Sequence, residues 1–113
     1  METIEFLVKG SKSEIYNVGF FRENGEVTAT CSCKAGRYSS HCKHRISILT
    51  NNTENIVSDN VGDVKIVSSW IKDTEIESAL NYFLEMKKIE EDAKKEAQKA
   101  KKYFEKVMSK TLK

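Results

Sequence analysis

All three cysteines of the chain fall within 14 consecutive positions, as Cys31-Ser32-Cys33, eight intervening residues, then Cys42-Lys43-His44. Thiolate sulfur and imidazole nitrogen are the donors that structural zinc prefers, and three cysteines with one histidine close its tetrahedron. An odd cysteine count does not build a disulfide framework, Cys-x-Cys is strained as a disulfide, and redox chemistry leaves the histidine unexplained. The sequence therefore predicts one structural zinc on Cys31, Cys33, Cys42 and His44. His41, next to Cys42, stays open as an alternative fourth ligand, although the Cys-x-His spacing favours His44.

A metal staple suits a chain of this size. With 113 residues, 39% of them hydrophobic and 32% charged, there is room for one modest core. The N-terminus Met1-Glu2-Thr3-Ile4-Glu5 has neither a basic region nor an apolar run like a secretory signal, which predicts a reduced, cytoplasmic protein. No stretch approaches the roughly 20 apolar residues of a membrane span, so no membrane partner is expected.

The approach to the first cysteines reads as a hairpin. Val27, Ala29, Cys31 and Cys33 alternate with Thr28, Thr30 and Ser32, the period of a half-buried strand, and Tyr16, Val18 and Phe20 alternate upstream. Asn24-Gly25 is a strong two-residue turn signal. A type I′ turn there pairs Glu23 with Glu26, and so sets Phe20 opposite Ala29, Val18 opposite Cys31 and Tyr16 opposite Cys33. Ile4, Phe6 and Val8 have the same period and predict a further strand.

Residues two apart on a regular helix point about 200° away from each other, so Cys42 and His44 share a metal only if Cys42 lies in or before the first irregular turn. Ser39 or Ser40 is the expected cap, and Ile46, Ile48 and Leu49 are expected to cover the sheet behind the metal. The fold class predicted is α+β: a small β-β-α zinc-binding module with an extra N-terminal strand, a short helix and a long C-terminal helix.

The pattern Cys-x-Cys, eight residues, Cys-x-His, with a hairpin before it and an apolar helix after it, resembles the SWIM-type zinc finger, whose motif is CxCx(n)CxH. The string Cys33-Lys34-Ala35-Gly36 followed by Cys42-Lys43-His44 is similar to the usual wording of such fingers. The resemblance covers about residues 16–49. It implies ligand roles for Cys31, Cys33, Cys42 and His44, a β-β-α fold, and binding of DNA or proteins.

Charge distribution bears on the partner. Between Val27 and Thr53 there is no Asp or Glu, whereas Lys34, Arg37, Lys43 and Arg45 all lie there. A zinc with three thiolates carries about one negative charge, which leaves this neighbourhood about three units positive. One reading has these four cations meeting phosphates of DNA or RNA, with Tyr38 stacking on a base. The other has them offsetting the thiolates and solvating the loop. Catalysis is not expected: four protein ligands leave no position for water, no Gly-rich phosphate loop is present, and no nucleophile has a base nearby. No small-molecule substrate is implied.

Residues 1–50 form the expected zinc module and residues 51–73 a polar loop with a short packing helix. There Val61, Val64, Val67 and Ile71 recur at helical spacing, Ser58 or Asn60 is the expected cap, and Trp70 is read as core. Residues 74–113 open on Thr74-Glu75-Ile76-Glu77, a capping box, and contain no Gly or Pro. A 3-4 spacing runs through Ile76, Ala79, Phe83, Met86, Glu90, Ala93, Ala97, Ala100, Phe104 and Val107, the seam of a coiled coil interrupted by Glu90. The rival functional reading follows from this helix: a structural or adaptor protein that associates with itself or another protein through the C-terminal segment.

Overall fold

The computed structural model describes residues 1–37 and 42–110, with the backbone alone at positions 36 and 37. Three antiparallel strands, β1 (Glu2–Lys9), β2 (Ile15–Glu23) and β3 (Glu26–Cys31), form a sheet in the order β1-β2-β3. After it come a single helical turn, α1 (Lys34–Arg37), then α2 (Lys43–Leu49), a 3-10 turn (Val61–Asp63), α3 (Val64–Ile71) and the long α4 (Glu75–Ser109). This is the α+β architecture expected, extra strand included. By compactness the chain divides into Met1–Glu77 and Ser78–Lys113.

The hairpin forms because Asn24 and Gly25 both accept positive φ, +53° and +80°, as a type I′ turn requires. The register follows: Glu23 pairs with Glu26, Phe20 with Ala29 and Val18 with Cys31. The ladder ends there. The next in-register residues, Asn17 and Ser32, still bond, the Ser32 amide donating to the Asn17 carbonyl at 3.0 Å, but the Asn17 amide donates to the Ser32 hydroxyl at 2.9 Å, and no ladder pair of Tyr16 with Cys33 follows. Cys33 thus leaves the strand in a bend.

One face of the sheet carries Phe6, Val8, Val18 and Phe20, all buried, with the rings of Phe6 and Phe20 edge to face at 6.1 Å. Ile48 of α2 and Val64, Val67 and Trp70 of α3 pack on the same core, so residues 51–73 build the first unit together with the sheet. Trp70 is core, as expected, and the Arg22 guanidinium sits 5.4 Å from its ring centroid. The outer edge of β1 is covered by residues 55–57: the Lys9 amide donates to the Asn55 carbonyl and the Val57 amide to the Leu7 carbonyl, each at 2.8 Å.

Several caps differ from expectation. Cys42 itself occupies the cap position of α2, in extended backbone, while Ser39 and Ser40 lie outside the described residues. Asn60 holds the cap position of the 3-10 turn, but its side chain donates to the Glu5 carbonyl at 2.7 Å and accepts from Ser58 at 2.6 Å, tying the loop to β1. The capping box is displaced by one residue: the Thr74 hydroxyl donates back to the Ile71 carbonyl, and Glu77 accepts from the Asp73 amide at 3.2 Å. Thr74 is drawn backward by the end of α3, only three residues upstream.

α4 runs unbroken for 35 residues with acids in its first turn and none of its residues buried. Among the described residues no helix is long and apolar enough to cross a membrane.

Phe20 is fully buried. Phe20→Ala is expected to remove about 3–5 kcal/mol of stability, measured by urea denaturation followed through Trp70 fluorescence; a change below about 1 kcal/mol would contradict the core described.

Candidate metal centre

The four expected ligands arrive from three places. Cys31 ends β3, Cys33 sits in the bend before α1, and Cys42 and His44 straddle the start of α2. Because Cys42 precedes the first helical turn, the 200° divergence of positions i and i+2 does not apply, and both side chains turn to one point. All four are buried, and their ligand atoms lie within 4.8 Å of one another. His44 Nδ1 is 3.7 Å from Cys31 Sγ and 3.7 Å from Cys42 Sγ, while Cys33 Sγ is 3.5 Å from Cys42 Sγ.

These distances can be set against a metal. Zinc bonds of about 2.3 Å to sulfur and about 2.0–2.1 Å to nitrogen give a tetrahedron with S···S edges of about 3.8 Å and S···N edges of about 3.5 Å. The three separations above come within about 0.3 Å of those edges, the whole set stays within 4.8 Å, and the Cys33–Cys42 S···S separation is far beyond the roughly 2.05 Å of a disulfide. The Cys33 amide points at Cys31 Sγ, 3.5 Å away, a donor placed to stabilise a thiolate. The ring of Tyr16 lies against the imidazole, centroids 4.8 Å apart. So Tyr16, though not in a ladder pair with Cys33, lies on the ligand face as expected and packs on the fourth ligand.

Burial dominates the protonation of the group. It pushes the Cys31 thiol up to about 12. Burial opposes the Cys42 thiolate too, but the Arg45 amide at the start of α2 and the thiols of Cys33 and Cys31 outweigh it and hold that thiol below its ordinary value. Burial, then the charge of Lys43, keeps the His44 imidazole below its usual range, with Glu14 partly opposing. A neutral imidazole is the form that ligates. With Nδ1 facing the sulfurs, Nε2 is buried and has no hydrogen-bond partner among the described residues, an uncompensated polar atom of the kind that costs about 1–3 kcal/mol.

The proposed phosphate contacts are placed less uniformly. Lys34 and Lys43 are exposed. Arg45 is half-buried and one guanidinium nitrogen donates to the Ala29 carbonyl at 3.1 Å, holding α2 to the open edge of β3. Of Arg37 only the backbone is described, and Tyr38 and His41 lie outside the described residues. A cleft of about 340 Å³ opens beside the cluster, lined by Lys9, Gly10, Ser11, Lys43, His44 and Asn55. Lys9 is a cation that local sequence reading misses, since only the tertiary fold brings the end of β1 beside Lys43.

No protein-family model, curated protein or solved structure matches the chain. The local motif and its geometry therefore carry the functional argument.

A thiol held as high as Cys31 is protonated near neutral pH and must lose its proton to ligate. Zinc added to the reduced metal-free chain at about pH 7 is expected to release at least one proton per metal, and its apparent affinity to fall as pH drops. Titration calorimetry in buffers of different ionisation enthalpy measures this, and proton-neutral uptake would contradict the assigned ligand.

Proposed function

We propose that the chain is a non-catalytic, SWIM-like zinc protein that binds nucleic acid, its single zinc serving to staple the fold. The observation that carries the proposal is the convergence of three sulfurs and Nδ1 of His44 within 4.8 Å of one another. Zinc there would neutralise thiolate charge and cross-link β3, the bend at Cys33 and α2, and four protein ligands would leave it no site for a reacting water. Thiols kept for a metal need a reducing compartment, for which the cytoplasm is the proposed location.

The nucleic-acid part rests on the absence of acids between Val27 and Thr53 and on Lys34, Lys43 and Lys9 being exposed around the metal cluster. Such cations would meet phosphates and fix orientation rather than read sequence. The zinc-loaded protein is expected to bind a labelled oligonucleotide with affinity that falls steeply with salt, and Lys34→Ala with Lys43→Ala to weaken it with a shallower salt dependence. Absence of binding at low salt would overturn the reading.

A second reading, an adaptor joined through α4, is favoured by the exposed seam: Met86, Phe104 and Val107 are uncovered in the single chain, Phe104 at 63% exposure. If the seam pairs, Phe104→Ala should weaken association in sedimentation while leaving zinc content unchanged. Wild-type monomer at high concentration, with no partner captured through the helix, would dispose of it.

A further inference from the structure

The positive charge of this chain does not reside mainly on the zinc module. Met1–Glu77 holds nine Lys and Arg against eleven Asp and Glu, whereas Ser78–Lys113 holds ten Lys against six acids. Within α4 the excess is patterned. Lys-Lys recurs every seven residues, at 87–88, 94–95 and 101–102, all exposed. Seven residues turn a helix by about 700°, so the three pairs stack with a drift of only about 20° per repeat, forming one basic ridge about 22 Å long. Among the described residues none of these six lysines makes an ion pair; the one ion pair of α4 among them is Lys99 with Glu96, at 3.4 Å. Glu91 and Glu105 fall within the ridge and dilute it, but nine lysines stand against five acids between positions 87 and 110.

We propose that the lysine ridge of α4 is a binding surface for single-stranded nucleic acid, with Tyr103 as a stacking platform beside it. The ridge repeats about every 10.5 Å, so that its three pairs set six cations along one line of the helix. A straight ridge cannot track one strand of a duplex, because its three pairs span about 21 Å, or roughly six base pairs, and that strand winds through more than half a turn in the distance; a duplex would instead have to take α4 into its major groove. A flexible single strand can lie along it. Tyr103 is 62% exposed and sits four residues after Lys99 and three before Lys106, on the same side of the helix. An anionic membrane fits worse. On an interfacial helix lysines flank the apolar face, as Lys87, Lys94 and Lys101 do, but Lys88, Lys95 and Lys102 lie on the side opposite the seam of Ala93, Ala97, Ala100 and Phe104, where a membrane would leave them without a partner.

This inference takes its ligand class from the nucleic-acid reading but assigns the contacts to a different element. The test is a fluorescence-anisotropy titration of zinc-loaded full-length protein with a labelled mixed-sequence single strand of about 20 nucleotides, the matching duplex, and phosphatidylserine vesicles, each at several salt concentrations. Replacing all six ridge lysines by Gln should cut single-strand affinity by about 100-fold or more at low salt and flatten the log-log salt slope by up to about 4, since each lost contact removes about 0.7. Lys→Arg at the same positions should retain binding. Tyr103→Ala should lower affinity several-fold with the slope unchanged. Helicity is checked by circular dichroism, and if the sixfold variant unfolds, pairwise replacements should each flatten the slope by a similar step. Binding that survives the ridge variant but is lost with Lys34→Ala and Lys43→Ala would overturn this inference and leave the finger reading standing; the reverse would uphold the ridge and displace the finger. Ridge-dependent binding of vesicles with no binding of the oligonucleotide would overturn both.

Discussion

The structure turns on one convergence, that of three sulfurs and an imidazole where β3 ends and α2 begins. These groups occupy the core itself: Cys31, Cys33 and Cys42 belong to the same buried cluster as Phe6, Val18, Phe20 and Trp70. Buried thiols beside an imidazole with an unsatisfied nitrogen are poor core material, because packing there gains little while a polar atom is left desolvated. Zinc, as proposed, reverses that balance by turning the weakest part of the core into its strongest cross-link. The cluster also anchors the start of α2, a helix of only seven residues with no side-chain cap at its N-terminus.

How much of this was legible depended on whether the interaction was local. The Asn24-Gly25 turn and the period-two alternation sufficed for the hairpin register, because positive φ at two positions leaves one pairing. The register carries on to Asn17 and Ser32 but not to a pair of Tyr16 with Cys33, because the Asn17 amide takes the Ser32 hydroxyl as its acceptor and the chain bends at Ser32 and Cys33. The capping box was legible as the start of a helix but not in its detail, because Thr74 answers to a carbonyl of α3 that the motif does not contain. The ligand atoms came together as the spacing required. That Nδ1 rather than Nε2 faces the sulfurs, and that Tyr16 packs on the ring, depend on side-chain placement that no spacing encodes.

Local charge counting has a comparable limit. The acid-free stretch around the ligands is basic in isolation, yet it belongs to a unit in which acids outnumber bases. Arg45 is already engaged with Ala29, and a guanidinium that holds an edge strand is less available to a phosphate than an exposed lysine. Long-range attraction of a polyanion follows the summed field of a unit, whereas a short contact follows its nearest cations. On the first criterion α4 is the stronger candidate; on the second, Lys34 and Lys43 remain.

The two roles proposed for α4 are compatible. Its seam is rich in alanine, which allows close helix approach but buries little apolar area, and Glu90 within it would cost stability if desolvated without a cation. Pairing through such a seam is weak by itself. It would nonetheless leave Lys88, Lys95 and Lys102 facing outward, since they lie opposite the apolar positions. A bound polyanion spanning two such ridges would screen the lysine repulsion that opposes pairing, and two ridges engaged together would hold the polyanion more tightly than one. Association and polyanion binding in this helix would then be thermodynamically linked, each strengthening the other, and Glu90 would set the seam weak enough for the ligand to control it.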